Sequence, residues 1–167
     1  MEINNRDHVI GSPNSTIVLV EYGDYQCPFC RKAYQMVKEL QKELGNNLKF
    51  VFRNFPLTEL HAHAYHAALA AEAASEQDKF WEMHDMLFEN QDALDDAYLL
   101  RYAEDLELDV PRFEKDFGSE KCRTKVEQDY ESGIHYQVEG TPTFLSTASC
   151  MKETLCLPIS QITCGGS

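Results

Sequence analysis

Apolar and polar positions divide the chain into a β-rich opening, a long helical middle and a brief return of strand. After a turn at Gly11-Ser12-Pro13-Asn14, the segment from Thr16 to Tyr22 is short, almost continuously apolar and β-branched, which predicts a buried central strand. Gly23 and Asp24 interrupt it. From Cys27 onward Tyr34, Met36, Val37, Leu40 and Leu44 recur at helical spacing until Gly45, predicting a first helix with a glycine stop. Leu48 to Arg53 predicts a second strand, so the opening reads as a β-α-β unit. Between Glu59 and about Val138 helical patterning dominates, broken near Ser75-Glu76-Gln77, Asp92 to Asp96, Asp109-Val110-Pro111 and Gly118-Ser119. Typical helix lengths divide that stretch into about five helices. Pro111 suits a first helical turn, with Asp109 as its cap. Strand signals return at Gly140-Thr141-Pro142-Thr143-Phe144.

A chain of 167 residues, 43% hydrophobic, buries one core and predicts one α/β domain. Its formal charge of -13 repels nucleic acid and anionic lipid, so neither is expected as a partner. The opening residues, Met1 to His8, carry no apolar leader, and no run reaches the roughly 20 apolar residues of a membrane span; the expectation is a cytoplasmic protein. Six cysteines without an export signal favour a redox or metal role over structural disulfides.

The chemistry centres on Cys27-Pro28-Phe29-Cys30, at the junction of the first strand and first helix. Two sulfurs one helical turn apart can close a small disulfide ring without moving the backbone. At a helix N-terminus, unpaired backbone N–H groups and the positive dipole end favour a thiolate on the first cysteine. Cys27 is therefore the expected attacking thiol, and Cys30 the one that resolves a mixed disulfide. Two cysteines at this spacing also supply half a zinc site, but Cys150, Cys156 and Cys164 lie at wider spacings, and no metal is expected.

The stretch Val20-Glu21-Tyr22-Gly23-Asp24-Tyr25-Gln26-Cys27-Pro28-Phe29-Cys30 resembles the active-site segment of the DsbA family of thioredoxin-fold thiol–disulfide oxidoreductases. Gly140 to Phe144 resembles that family's second hallmark. The resemblance implies a thioredoxin fold carrying an inserted helical domain at about 59–138, within a domain spanning 1–144. It also implies a cis Pro142 facing the cysteines, with Thr141 offering backbone hydrogen bonds to substrate. Glu21 is implied as a proton relay for the buried cysteine, and Asp24 competes for that role. No bound cofactor is implied; the partners are protein or small-molecule thiols and disulfides, and a further redox partner. A non-catalytic binding module using the groove beside Pro142 is the alternative reading. The Pro-Phe dipeptide differs from the Pro-His of DsbA itself, and Phe29 brings no hydrogen-bonding side chain to the sulfur. The direction of electron flow is open to oxidase, isomerase or reductase.

Other residues read as structural. His61, His63 and His66 alternate with alanines, and only His63 and His66 share a helix face. Cys122, Val126, Tyr130, Ile134 and Val138 fall four apart and predict one buried stripe. Phe80, Trp81, Met83, Met86, Leu87 and Phe88 read as the core of the helical insert.

Beyond Phe144 the pattern changes. Residues Leu145 to Ser167 carry three new cysteines and no clear strand or helix, where the resemblance implies another strand and a closing helix. Read from the third base of each codon, Met151-Lys152 forces Glu, Cys150-Met151 allows only Tyr or His, and Glu153-Thr154 allows Asn or Asp. One choice of synonymous codons restores a strand, a turn, a strand and a capped helix, and loss of one T from a Phe-Phe-Ile coding run produces Phe144-Leu145-Ser146. The segment 145–167 is accordingly expected to be a frameshifted tail, with the C-terminal strands and helix missing or scrambled. A chain carrying the restored frame is expected to melt at higher temperature than the 167-residue chain. Equal melting temperatures, or encoding DNA in which no one-base change recovers the frame, would refute this.

Overall fold

The structure, a computed structural model, describes residues 2–146. Four strands form one mixed sheet: β1 (His8–Gly11), β2 (Ile17–Gly23), β3 (Leu48–Asn54) and β4 (Thr143–Ser146), in the order β1-β3-β2-β4. β2 and β3 are parallel and joined by α1 (Pro28–Leu44), the expected β-α-β unit, while β1 and β4 run antiparallel on its two flanks. β1 was not predicted. Three of its four residues are exposed, and an edge strand under so little burial leaves no apolar pattern to read.

Five helices fill the space between β3 and β4, the number expected: α2 (Ala64–Ser75), α3 (Phe80–Glu89), α4 (Asp96–Asp105), α5 (Val110–Phe117) and α6 (Glu120–His135). Their starts coincide with the breaks in the pattern because those breaks hold the caps. Asp95 accepts from the amides of Ala97 and Tyr98, Asp109 from Arg112, and Ser119 from Cys122, which satisfies amides that have no partner within their own helices. α2 is buried almost all round, and its alanines let neighbouring helices approach closely. Phe80, Met83, Leu87 and Phe88 are buried as expected, with Trp81 and Met86 packed at the margin of the same core as Phe50 and Phe52 of β3.

The predicted stripe on α6 needs correction. Cys122 and Val126 are buried, but Tyr130 and Ile134 are exposed, and Asp129 and Gly133 are buried instead. Four residues advance a helix by about 400°, so a strict four-residue repeat drifts away from the core within two turns. His61 and His63 precede α2 rather than lying on it, with His63 at its N-cap.

Buried polar groups bind the helical insert to the sheet. Glu72 of α2 accepts from His8 Nε2 at 2.9 Å and from Asn54 Nδ2 at 2.7 Å, and Asp129 of α6 accepts from the Asn54 amide and from Lys125. Arg53 grips Asp7 through two bonds of 2.8 and 2.9 Å and donates to the Tyr22 hydroxyl. Such charges are tolerated inside a protein only when each one is paired.

β4 pairs Leu145 and Ser146 with Val20 and Leu19, so the sheet runs two residues past Phe144. The remaining residues of the proposed frameshifted tail, with Cys150, Cys156 and Cys164, lie outside the described residues.

Gly133 provides a test of this packing. A Cβ there would sit 2.6 Å from the Phe55 ring, and that ring is held in place by stacking on Tyr130 at 4.4 Å. The gain in helix propensity from alanine is about 1 kcal/mol, against roughly 1–3 kcal/mol for overpacking. Gly133→Ala is expected to lower the urea midpoint with an unchanged slope; a raised midpoint would show that Phe55 yields freely.

Candidate active site

β2 ends at Gly23, where a side chain would strike the Phe52 ring, and the turn Asp24-Tyr25-Gln26 delivers Cys27 to the N-cap of α1. Pro28 occupies the first helical turn, which contains no acidic residue, so no side chain of that turn offsets the positive end of the helix. The Cys27 carbonyl opens the helical ladder by accepting from the amides of Cys30 and Arg31. Both thiols are free and buried. Facing them is the Thr141–Pro142 peptide bond, which is cis, and the Thr141 carbonyl accepts from the Cys27 thiol at 3.5 Å.

The two sulfurs differ sharply in acidity. A hydrogen bond from the Cys30 thiol is the largest influence on Cys27 and brings its pKa down to about 5; burial opposes it, while Thr141 and the amides of Cys30 and Phe29 assist. The buried Thr141 hydroxyl makes no hydrogen bond. Burial, together with its bond to Cys27, pushes Cys30 well above the ordinary thiol range, although the Asp24 amide donates to its sulfur at 3.5 Å.

Glu21 and Asp24 are both buried carboxylates near the thiols, but their surroundings separate them. Glu21 Oε1 has no hydrogen-bond partner, and burial first, then the Cys27 charge, raises its pKa to about 8. Asp24 is fully engaged: one oxygen accepts from the Gln26 amide at 2.7 Å, the other from the Leu57 amide and from His61 Nδ1, each at 2.8 Å. Asp24 is therefore tied into the turn, while Glu21 is left with an oxygen that has no donor. A cleft beside Glu21, lined also by Tyr34, Lys38, His84 and Asp85, has room for about one water molecule.

Three contacts in this turn have no local signature in the sequence. His61 reaches Asp24, Gln26 accepts from the His63 amide at 2.7 Å, and Gln91 donates to the carbonyls of Tyr25 and Cys27 at 2.8 Å each. Only the excess of polar residues around otherwise apolar elements hints at them. Cys122 lies in the insert core with its thiol pushed up by burial. Among the described residues, no group of three or more His, Cys, Asp or Glu is placed to hold a metal ion.

This sheet order, with paired thiols at a helix N-terminus and a cis-proline opposite, defines the thioredoxin-fold oxidoreductase class. Residues 4–152 match the family model described as Thioredoxin, and the chain belongs to that family, in its DsbA-like group. A thioredoxin-like oxidoreductase from Silicibacter pomeroyi DSS-3 is 27% identical with a TM-score of 0.79, covering 87% of this chain and 83% of that one. α-DsbA1 of Wolbachia pipientis shares the fold at 20% identity, with a TM-score of 0.76 over 87% of this chain and 76% of its own. Among curated relatives, the Na(+)/H(+) antiporter NhaA 3 of Salinispora tropica is 44% identical over 140 residues, which is 84% of this chain. The chain spans about a fifth of the length of the curated relatives it matches, 21% in that case.

The opposed shifts of Cys27 and Glu21 predict how stability varies with pH. Cys27 is more acidic folded than unfolded, so its contribution to the reduced protein is complete above the ordinary thiol value and is lost as pH falls toward about 5. Glu21 is less acidic folded, so its contribution is complete below the ordinary carboxyl value and is lost as pH rises through about 8. Between pH 5 and 8 the two slopes oppose each other. In Glu21→Gln only the Cys27 slope remains, and the urea midpoint of the reduced variant should rise more steeply with pH than that of the parent. Parallel profiles would show that the two groups are not linked to folding in this way.

Proposed function

We propose that this chain is a thiol–disulfide oxidoreductase exchanging disulfides with protein or small-thiol substrates through Cys27 and Cys30. The observation that carries this reading is a buried, acidified Cys27 at the N-cap of α1, within hydrogen-bond reach of Thr141 beside cis Pro142. The Cys27 thiolate attacks a substrate disulfide, forming one S–S bond and breaking another as a substrate thiolate leaves. With Cys27 now uncharged, Glu21 loses the charge that helped hold its proton, gives that proton to the departing substrate thiolate, and as a carboxylate accepts the proton of Cys30. The Cys30 sulfur then attacks Cys27, releasing the reduced substrate and leaving a Cys27–Cys30 disulfide. Two electrons pass to substrate, and the sequence runs equally in reverse.

Thr141 and Pro142 border Cys27 where an extended substrate segment would lie, and Phe29, half exposed, forms the adjoining apolar rim. Ion transport, named for the Salinispora relative, is not carried over, because the match covers only a fifth of that protein. No helix among the described residues is long and apolar enough to cross a membrane. The matched part of such relatives reads as a redox module, and the paired thiols argue against a purely binding role.

Serine substitutions test the roles assigned to the two sulfurs. Cys27→Ser is expected to abolish reduction of insulin by dithiothreitol-supplied electrons, whereas Cys30→Ser should accumulate a mixed disulfide at Cys27, visible by mass spectrometry. Equal residual turnover in both variants would overturn the assignment.

A further inference from the structure

We infer that Gln91, in the loop after α3 of the helical insert, is a positioning residue that sets the acidity of Cys27; this rests on the redox reading above. Its amide nitrogen lies 2.8 Å from both the Tyr25 and the Cys27 carbonyl. Carbonyls only accept, and an NH2 group has two hydrogens, so both donors are committed to the active-site turn. Gln91 is itself largely buried. The Ala93 amide donates to the Asn90 carbonyl at 2.9 Å, closing the loop into a turn, and the Tyr102 hydroxyl of α4 holds the Ala93 carbonyl at 2.6 Å. The donor is thus anchored from two helices of the insert.

Its target is the peptide unit on which the thiolate depends. The Cys27 carbonyl already accepts from the amides of Cys30 and Arg31, so Gln91 is a third donor on one oxygen. Holding both Tyr25 and Cys27 fixes the direction in which Cys27 leaves the turn. That direction decides whether Sγ lies under the amides of Phe29 and Cys30, which favour its charge, and within reach of Thr141. Without Gln91, the β2-to-α1 turn keeps the side-chain ties of Asp24 and Gln26 and loses the one on the Tyr25 and Cys27 carbonyls. Gln91 touches neither substrate nor sulfur and acts through the backbone of Cys27.

Gln91→Met is close in shape and has no donor. In the reduced full-length chain, the thiolate absorbance of Cys27 should titrate about one unit higher than in the parent, a tenfold weaker thiolate. A less stable thiolate disfavours the reduced form, so the reduction potential in glutathione buffers should fall, by about 30 mV for a tenfold change in the equilibrium. A purely structural role would instead lower the melting temperature and leave titration and potential unchanged, and that result would overturn the inference. If Gln91→Met does not fold, Gln91→Asn keeps the amide on a stem one methylene shorter, and the same shift is expected of it. Should the parent show an acidified Cys27 but no disulfide exchange, the proposed function fails while the Gln91 titration still decides the inference.

Discussion

The buried site has room for one negative charge, and the surrounding structure determines where it sits. Cys27, Cys30 and Glu21 all face low-dielectric surroundings, where like charges so close cannot both be held. Cys27 has a thiol donor, two helix amides and a helix end directed at its sulfur, whereas Glu21 Oε1 has no partner at all. The charge therefore settles on the Cys27 sulfur and the proton on the Glu21 carboxyl group, which is the state a nucleophile requires. In the proposed reaction, bonding of the sulfur relaxes the constraint, and the same carboxyl group would be released to act as a base for Cys30. Acid–base assignment follows from the inequality of the two environments rather than from either residue alone.

Holding that inequality requires a sheet that does not shift under the site. β2 carries Glu21 into the core, parallel to β3 with Glu21 opposite Phe52, and the turn after β2 presents Cys27. β4 lies on the other side of β2 and places the segment containing Pro142 opposite the thiols. The insert is locked to the far edge of this sheet by the ties among His8, Glu72, Asn54 and Asp129. Each of these groups would be costly if left alone inside the protein, so each bond penalises any displacement of the insert.

Much of this was legible in the sequence, because the relevant signals are local. A β-branched run, a helical repeat and two cysteines one turn apart each occupy a few neighbouring residues, and they located β2, α1 and the thiol pair. Helix starts were legible for the same reason, since Asp95, Asp109 and Ser119 cap amides two or three residues away. The contacts that distinguish Asp24 from Glu21 were not. The two long-range ones join Asp24 to residues 33 and 37 positions away, and no periodicity encodes them. Sequence placed both carboxylates near the thiols as candidate relays; only the fold shows one saturated with donors and the other with a bare oxygen. β1 escaped for a related reason, being an exposed edge whose partner strand begins 37 residues after its own last residue.

The dipeptide between the cysteines invites an explanation of redox character in terms of Pro28 and Phe29, yet the structure assigns them a small share. The Phe29 side chain is turned outward, half exposed, beneath Lys32, and only its backbone amide reaches the sulfur's environment. The stronger influences are the Cys30 thiol, the Thr141 contact and burial, and each depends on where the turn from Asp24 to Cys27 holds the sulfur. That turn is tied through Asp24 to Leu57 and His61, through Gln26 to His63, and through its carbonyls to Gln91. All of these ties come from the chain between β3 and α4. If the pair works as proposed, its redox potential would belong to the packing between sheet and insert, and changes in the insert would alter the chemistry of the thiols while leaving Cys-Pro-Phe-Cys untouched.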